Sequence, residues 1–182
     1  MNVSLEAIGT EPVTTALAKT WLRLDTSDHD TEVGELITAG RDWFETLTGY
    51  LVEQRAVTLE LDSWEIKTYH YLPYGPIQSV TSIKIWDDSA SDWGSDIKSG
   101  TNRITRTNPP RLEQIGTGWP TEVAHKALQI VYEAGATAPK EALYIIKEWI
   151  VRAYDAAGEP FDVADLESRA TRFMMNPLGV VR

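Results

Sequence analysis

Apolar residues return every three to four positions near both ends of this chain and every second position between them. The first spacing marks a helix with one buried face, the second a half-buried strand. It predicts a helix over 14–24, capped by Thr14 or Thr15, with Leu17, Trp21 and Leu24 on one face. A second helix is predicted over 30–48. There Val33, Leu36, Ile37, Gly40, Trp43, Phe44 and Leu47 keep helical spacing, and Gly49 supplies a stop. A glycine in mid-helix costs about 1 kcal/mol against alanine, so close approach of another helix is expected at Gly40.

The middle changes period. Strands are predicted over 51–61 (Val57, Leu59 and Leu61 on one face), 67–72, 80–86, 102–107 and 127–133. Leu72-Pro73-Tyr74-Gly75-Pro76-Ile77 and Gly116-Thr117-Gly118-Trp119-Pro120 read as turns, and 87–92 as an exposed loop. Helix returns at Pro139, with Leu143, Ile146, Trp149, Ile150, Ala153 and Tyr154 as its apolar stripe. A short last helix over 162–174 uses Val163, Leu166, Ala170 and Phe173, and Pro177 ends it. Strands and helices do not alternate, so a doubly wound sheet is not expected. The fold class is α+β: mainly a helical bundle with helices at both ends, a β-rich insertion at about 51–135 and an extended C-terminal tail. Residues 1–172 read as one domain and 173–182 as the tail.

A length of 182 residues suits one domain with an insertion. The net charge of −10 argues against a groove that grips nucleic acid, which needs clustered lysine and arginine. The charge is uneven. Residues 1–50 hold nine acids (Glu6, Glu11, Asp25, Asp28, Asp30, Glu32, Glu35, Asp42, Glu45) against three bases (Lys19, Arg23, Arg41). Residues 168–182 hold Arg169, Arg172 and Arg182 and no acid. The absence of cysteine excludes disulfides and cysteine-based zinc sites. No run approaches 18 apolar residues, and the N-terminus lacks a basic flank and an apolar core, so neither a membrane span nor a secretory signal is expected.

Candidate chemistry is sparse. His29 between Asp28 and Asp30, with Glu32 nearby, has metal-ligand residue types, but acids also belong at a helix N-terminus for the sake of its dipole. His70 between Tyr69 and Tyr71, and His125, have no nucleophile at elbow spacing. Asp62 with Glu65, and Asp87 with Asp88, are paired carboxylates in polar loops with no cleft implied. The Gly116–Gly118 pair lacks the rest of a phosphate loop. No catalytic, cofactor or metal residue is assigned. Trp21, Trp43 and Trp149 lie on helical stripes and read as core, whereas Trp64, Trp86 and Trp93 fall near strand ends, where some of them can serve a subunit contact. The end of the chain, Phe173 to Arg182, is apolar and free of acids. Such a segment is suited to adding a strand to another protein's sheet edge.

Taken in order, several short motifs resemble the head–tail connector (adaptor, head-completion) proteins of long-tailed double-stranded DNA phages and gene transfer agents. They are Pro12-Val13-Thr14, Ala18-Lys19 with Leu22-Arg23-Leu24-Asp25, Leu36-Ile37 with Ala39 and Arg41, and Thr48-Gly49-Tyr50. Leu72 to Val80, Pro110-Arg111-Leu112, Trp119-Pro120, Val131 to Gly135, Ala138-Pro139 with Trp149 and Tyr154, and Asn176 to Arg182 continue the match. The resemblance implies a dodecameric ring beneath the portal protein of the virion, at the head–tail interface, assembled in the host cytoplasm. Double-stranded DNA passes through such a ring without specific binding, and a stopper or tail-completion protein docks on it. It implies no enzyme, cofactor or membrane. It also implies a portal-binding tail, here Phe173, Met174, Met175, Pro177, Leu178, Val180, Val181 and Arg182. The alternative is a DNA-packaging accessory like a small terminase subunit, which needs a basic DNA-binding helix pair where the longer predicted helix of this chain, 30–48, is acidic. A small hydrolase needs a cleft with a perturbed histidine or carboxylate. A monomeric binding module would differ from a ring subunit in not assembling.

Overall fold

The computed structural model describes residues 1–61, 69–97, 102–105, 110–114 and 127–175. Among them the order is β1 (Asn2–Leu5), α1 (Thr15–Leu22), α2 (Asp30–Thr48), β2 (Arg55–Leu61), β3 (Tyr69–Tyr71), β4 (Ile77–Asp87), β5 (Asp92–Trp93), β6 (Asn102–Thr105), β7 (Arg111–Gln114), β8 (Leu128–Ala134), α3 (Lys140–Asp155) and α4 (Ala164–Met175). The α+β class holds. The chain divides into two compact units, one of Met1–Ala7 with Gln54–Gly135 and one of Ile8–Glu53 with Ala136–Arg182.

The first unit holds all the described strands. Five form an antiparallel sheet in the order β1-β2-β8-β4-β5, and three form a second in the order β3-β7-β6. Alternation decides the buried face. Val57 and Leu59 of β2 pair with Tyr132 and Ile130 of β8, which pair in turn with Val80 and Ile83 of β4. All six are buried. β4 shifts register between Ile77 and Ser79 and again between Val80 and Ser82, as bulges do. Three strands were not expected from the pattern. β1 brings the N-terminus into the sheet through the register Asn2↔Glu60 to Leu5↔Val57. β5 turns part of the expected 87–92 loop into a short hairpin, and β7 carries the Arg111-Leu112 step. The expected strands over 67–72 and 102–107 are described only at Tyr69–Tyr71 and Asn102–Thr105. The turn at 116–120 lies outside the described residues.

The second unit packs its four helices around Val33, Ile37, Phe44, Ile145, Ile146, Ile150, Ala170 and Phe173. α2 begins and ends where the pattern puts it, with Gly49 as a left-handed cap at φ 64°. Thr14 caps α1 by accepting the Leu17 amide at 3.2 Å. The expected face of α1 is corrected at Leu17 alone, since Trp21 and Leu24 pack against the core. Ala18 is the buried residue of this helix and Leu17 is 45% exposed, because the small side chain lets α1 lie close to its neighbours. Pro139 opens α3, whose buried positions are Ala142, Ile145, Ile146, Ile150 and Ala153.

Candidate functional site

The chain's acid-free end is rooted in α4, so the geometry of α4 comes first. Asp162 accepts the Ala164 amide at 2.9 Å and so satisfies a free donor at the helix start. Asp165 and Glu167 follow in the first turn, where the helix dipole favours acids. Leu166, Ala170 and Phe173 share the buried face. The Phe173 ring meets Phe44 at 5.5 Å and Tyr50 edge-on at 5.1 Å. On the outer side, ion pairs tie α4 to α3. Arg152 grips Asp165 with two bonds of 2.6 and 2.9 Å, and Arg169 donates to Glu148 at 2.5 Å. The bond from Arg152 holds the Asp165 carboxyl below its usual range. Arg169 also lies 5.2 Å over the Tyr144 ring. Tyr144 is 53% exposed.

Of the residues expected to form the docking tail, Phe173, Met174 and Met175 belong to this helix. Phe173 is 1% exposed and part of the core, so its side chain does not face outward for a partner. Met174 is half-buried. Pro177, Leu178, Val180, Val181 and Arg182 lie outside the described residues.

A second anchoring feature is Arg41 of α2. Its Nε and Nη2 donate to the two oxygens of Glu11 at 2.8 and 3.1 Å, and its Nη1 reaches Asp42 at 2.6 Å and Glu45 at 3.1 Å. Burial alone would lower the pKa of this guanidinium. The bond to Glu11 and the charges of Glu11, Asp42 and Glu45 outweigh that and raise it. Glu45, itself buried, also accepts the Val52 amide at 3.0 Å. The cluster pins the segment before α1 and the segment after α2 to the middle of α2.

The chemical candidates separate. His29 lies 3.0 Å from Glu32 and edge-on to Tyr154. Among the described residues no group of three histidines, cysteines or acids could hold a metal ion, and no helix is long and apolar enough to cross a membrane. Asp87 and Asp88 fall at the β4–β5 turn, where Asp87 accepts from the Ser89 amide and hydroxyl. Asp62, Glu65, His125 and the Gly116–Gly118 pair lie outside the described residues. Trp43 and Trp149 stack at 6.3 Å on the rim of the helical core, and Lys147 lies over Trp21. Trp86 and Trp93 meet edge-on at 5.4 Å below the β4–β5 turn. Trp64 lies outside the described residues. His70 lies in β3 between Tyr69 and Tyr71. Their spacing of two places Tyr69 and Tyr71 on the same side of β3.

The fold is similar to that of chains in solved gene transfer agent (GTA) particles. One match is a chain in the neck of an empty GTA particle computed with C6 symmetry, with a TM-score of 0.76 and 22% identity over 93% of this chain and 95% of that one. A chain in the virion of a native GTA particle matches with a TM-score of 0.76 and 18% identity over 94% of each. A chain in the neck of a native GTA particle computed with C12 symmetry matches with a TM-score of 0.65 and 21% identity over 92% of this chain and 94% of that one. The TM-scores over nearly the full length of each chain establish a shared fold. No protein-family model matches the sequence, and no curated protein matches it.

Proposed function

We propose that this chain is a structural subunit of a virion neck. It would be an adaptor that joins the portal of the capsid to the tail or stopper and continues the channel for double-stranded DNA. The observation that carries the reading is the likeness to GTA neck chains along nearly the whole length of both partners. The C12 symmetry of one of those necks supports a ring of twelve copies. A net charge of −10 supports passage of DNA without capture, since like charge keeps phosphates off the wall. The role is one of shape and needs no catalytic residue.

The docking element in this proposal starts at Met174. Phe173 roots α4 in the core, and Met174, Met175, Pro177, Leu178, Val180, Val181 and Arg182 reach the portal. A rigid root matters because a tail ordered only on binding loses affinity to the cost of ordering. The acidic α2, with five acids against Arg41, offers no support for the packaging-accessory alternative, whose DNA-binding helices would be basic.

The test is to add the protein to portal rings from the same particle, full length or ending at Met175, and to image the product by electron microscopy. Full-length protein is expected to add a ring to the portal and the shortened chain is not. A ring from both would remove the tail from docking and leave the adaptor. A bare portal in both cases would reject the adaptor reading.

A further inference from the structure

One face of the three-stranded sheet is built like a recognition surface. Residues directly opposite across antiparallel strands share a face. Tyr69, Glu113 and Arg103 form one row, and Tyr71, Arg111 and Thr105 form another on the same side. The row between them, His70, Leu112 and Ile104, belongs to the other side, where Leu112 is fully buried. On the first side Tyr71 is 52% exposed and the Arg103 side chain 65% exposed. Tyr69 and Tyr71 meet edge-on at 5.3 Å, and the Arg111 guanidinium lies 5.1 Å over Tyr69. A single carboxylate, Glu113, meets both Arg103 at 2.6 Å and Arg111 at 3.3 Å. Two guanidiniums against one carboxylate leave this face positive in a strongly acidic chain. Tyrosine and arginine are the types enriched where protein contacts concentrate their energy. Here they are already held by one another, which lowers the cost of ordering them.

A surface of the opposite character lies in the same unit. The β4–β5 turn carries Asp87, Asp88 and Asp92 and no base. Asp88 and Asp92 are exposed. The turn sits on the Trp86–Trp93 pair and is braced by the Gly94 amide donating to the Ile85 carbonyl at 2.9 Å.

We propose that the face bearing Tyr71 and Arg103 receives the acidic β4–β5 turn of a second copy of this chain. The two patches differ, so the contact is head-to-tail. Such a contact repeats from copy to copy and closes into a ring where the rotation allows. This deepens the ring reading and rests on it. A nucleic acid is disfavoured as the occupant, because the face has a single net positive charge and the chain around it repels phosphate.

The test uses the full chain in sedimentation velocity over a concentration series, with circular dichroism as the check on folding. Arg103→Glu with Tyr71→Ser disables the receiving face and leaves the turn intact. Asp88→Ser with Asp92→Ser does the reverse. Wild type is expected to self-associate, and each variant to do so roughly tenfold more weakly or worse. An equal mixture of the two variants is expected to form pairs and to stop there, since it retains one working contact. Wild type that stays monomeric at every concentration would overturn the proposal. So would variants that associate as wild type does, or binding of a labelled DNA duplex that Arg103→Glu abolishes. The portal experiment separates the two readings. A portal capped equally by wild type and by the Arg103→Glu/Tyr71→Ser chain rejects this interface and keeps the adaptor. A portal capped by neither, with self-association intact and lost in the variants, rejects the adaptor and keeps the interface.

Discussion

Gly40 of α2 lies directly against the indole of Trp149 in α3: a Cβ at Gly40 would stand 2.9 Å from Cε3 of that ring and 3.3 Å from Cγ1 of Ile150. The ring has little freedom to yield, because Trp43 stacks on it and Phe161 meets it edge-on at 5.5 Å. Gly40→Ala gains about 1 kcal/mol of helix propensity and loses about 1–3 kcal/mol to overpacking. Overpacking is expected to win, with a net loss of about 1 kcal/mol in urea unfolding. Adding Trp149→Leu is expected to return the alanine to a net gain, since neighbouring sites couple. An alanine variant more stable than wild type would show that the indole gives way freely.

Phe173 separates folding from docking. Truncating it to alanine removes a ring wedged between Phe44 and Tyr50, and a loss of about 3–5 kcal/mol is expected. A chain ending at Arg172 is expected to lose a similar amount, and a chain ending at Met175 to melt close to full length. Thermal unfolding of the three variants checks this. A Met175 truncation as unstable as Phe173→Ala would mean that the segment beyond it is part of the folded core.

The legible parts of the fold were those whose signal is local. α2 can be read end to end because its apolar positions hold one period and Gly49 follows directly. β2 and β8 alternate clearly enough to reveal their buried faces, whereas in β4 the register shift after Val80 brings Val80 and Ile83, three apart, to one face. β1 was not legible, since Asn2–Leu5 is largely exposed and becomes a strand only by pairing with residues more than fifty positions away. β7 has one apolar residue, Leu112, so its burial comes from its partners and not from its own pattern. At the candidate site the composition of the tail was plain, but its starting point was not. Phe173 fits both the helical face of Leu166 and Ala170 and the apolar run that follows. Packing against Phe44 decides for the helix. The Tyr71 and Arg103 face was beyond reach because it is assembled by register between three short strands.

Arg41 is expected to be the costliest charge to remove. Without it Glu45, which is 3% exposed, loses the 3.1 Å bond from the Arg41 guanidinium inside the core. Breaking a buried pair in this way costs about 3–5 kcal/mol. Arg41→Met is therefore expected to destabilise far more than Asp42→Asn, whose carboxylate is mostly in solvent. Arg41→Lys is expected to recover only part of the loss, because an ammonium cannot span Glu11 and Glu45 with a planar fork. Urea midpoints at neutral pH give the order. Equal losses for Arg41→Met and Asp42→Asn would place the stabilisation at the surface instead.

Tyr132 predicts how the protein fails in alkali. Its ring is fully buried and its hydroxyl oxygen accepts the Tyr74 amide at 3.3 Å. Burial raises its pKa above the ordinary 10.0. Above that value the unfolded chain releases the phenolic proton while the folded chain keeps it. The unfolded state then binds fewer protons, so stability falls as pH rises, by up to about 1.4 kcal/mol per pH unit for one group. Below about pH 9 the contribution is fully present. Tyr132→Phe removes this slope, at an expected cost of about 1 kcal/mol at neutral pH for leaving the Tyr74 amide without its acceptor. The two stability curves are therefore expected to start apart and converge as the pH passes 10. Tyr50, raised by burial in the same direction, leaves a residual slope in the variant. Urea midpoints between about pH 7 and 11 measure both curves. Parallel curves across that range would mean that Tyr132 ionises in the folded protein as readily as in the unfolded chain.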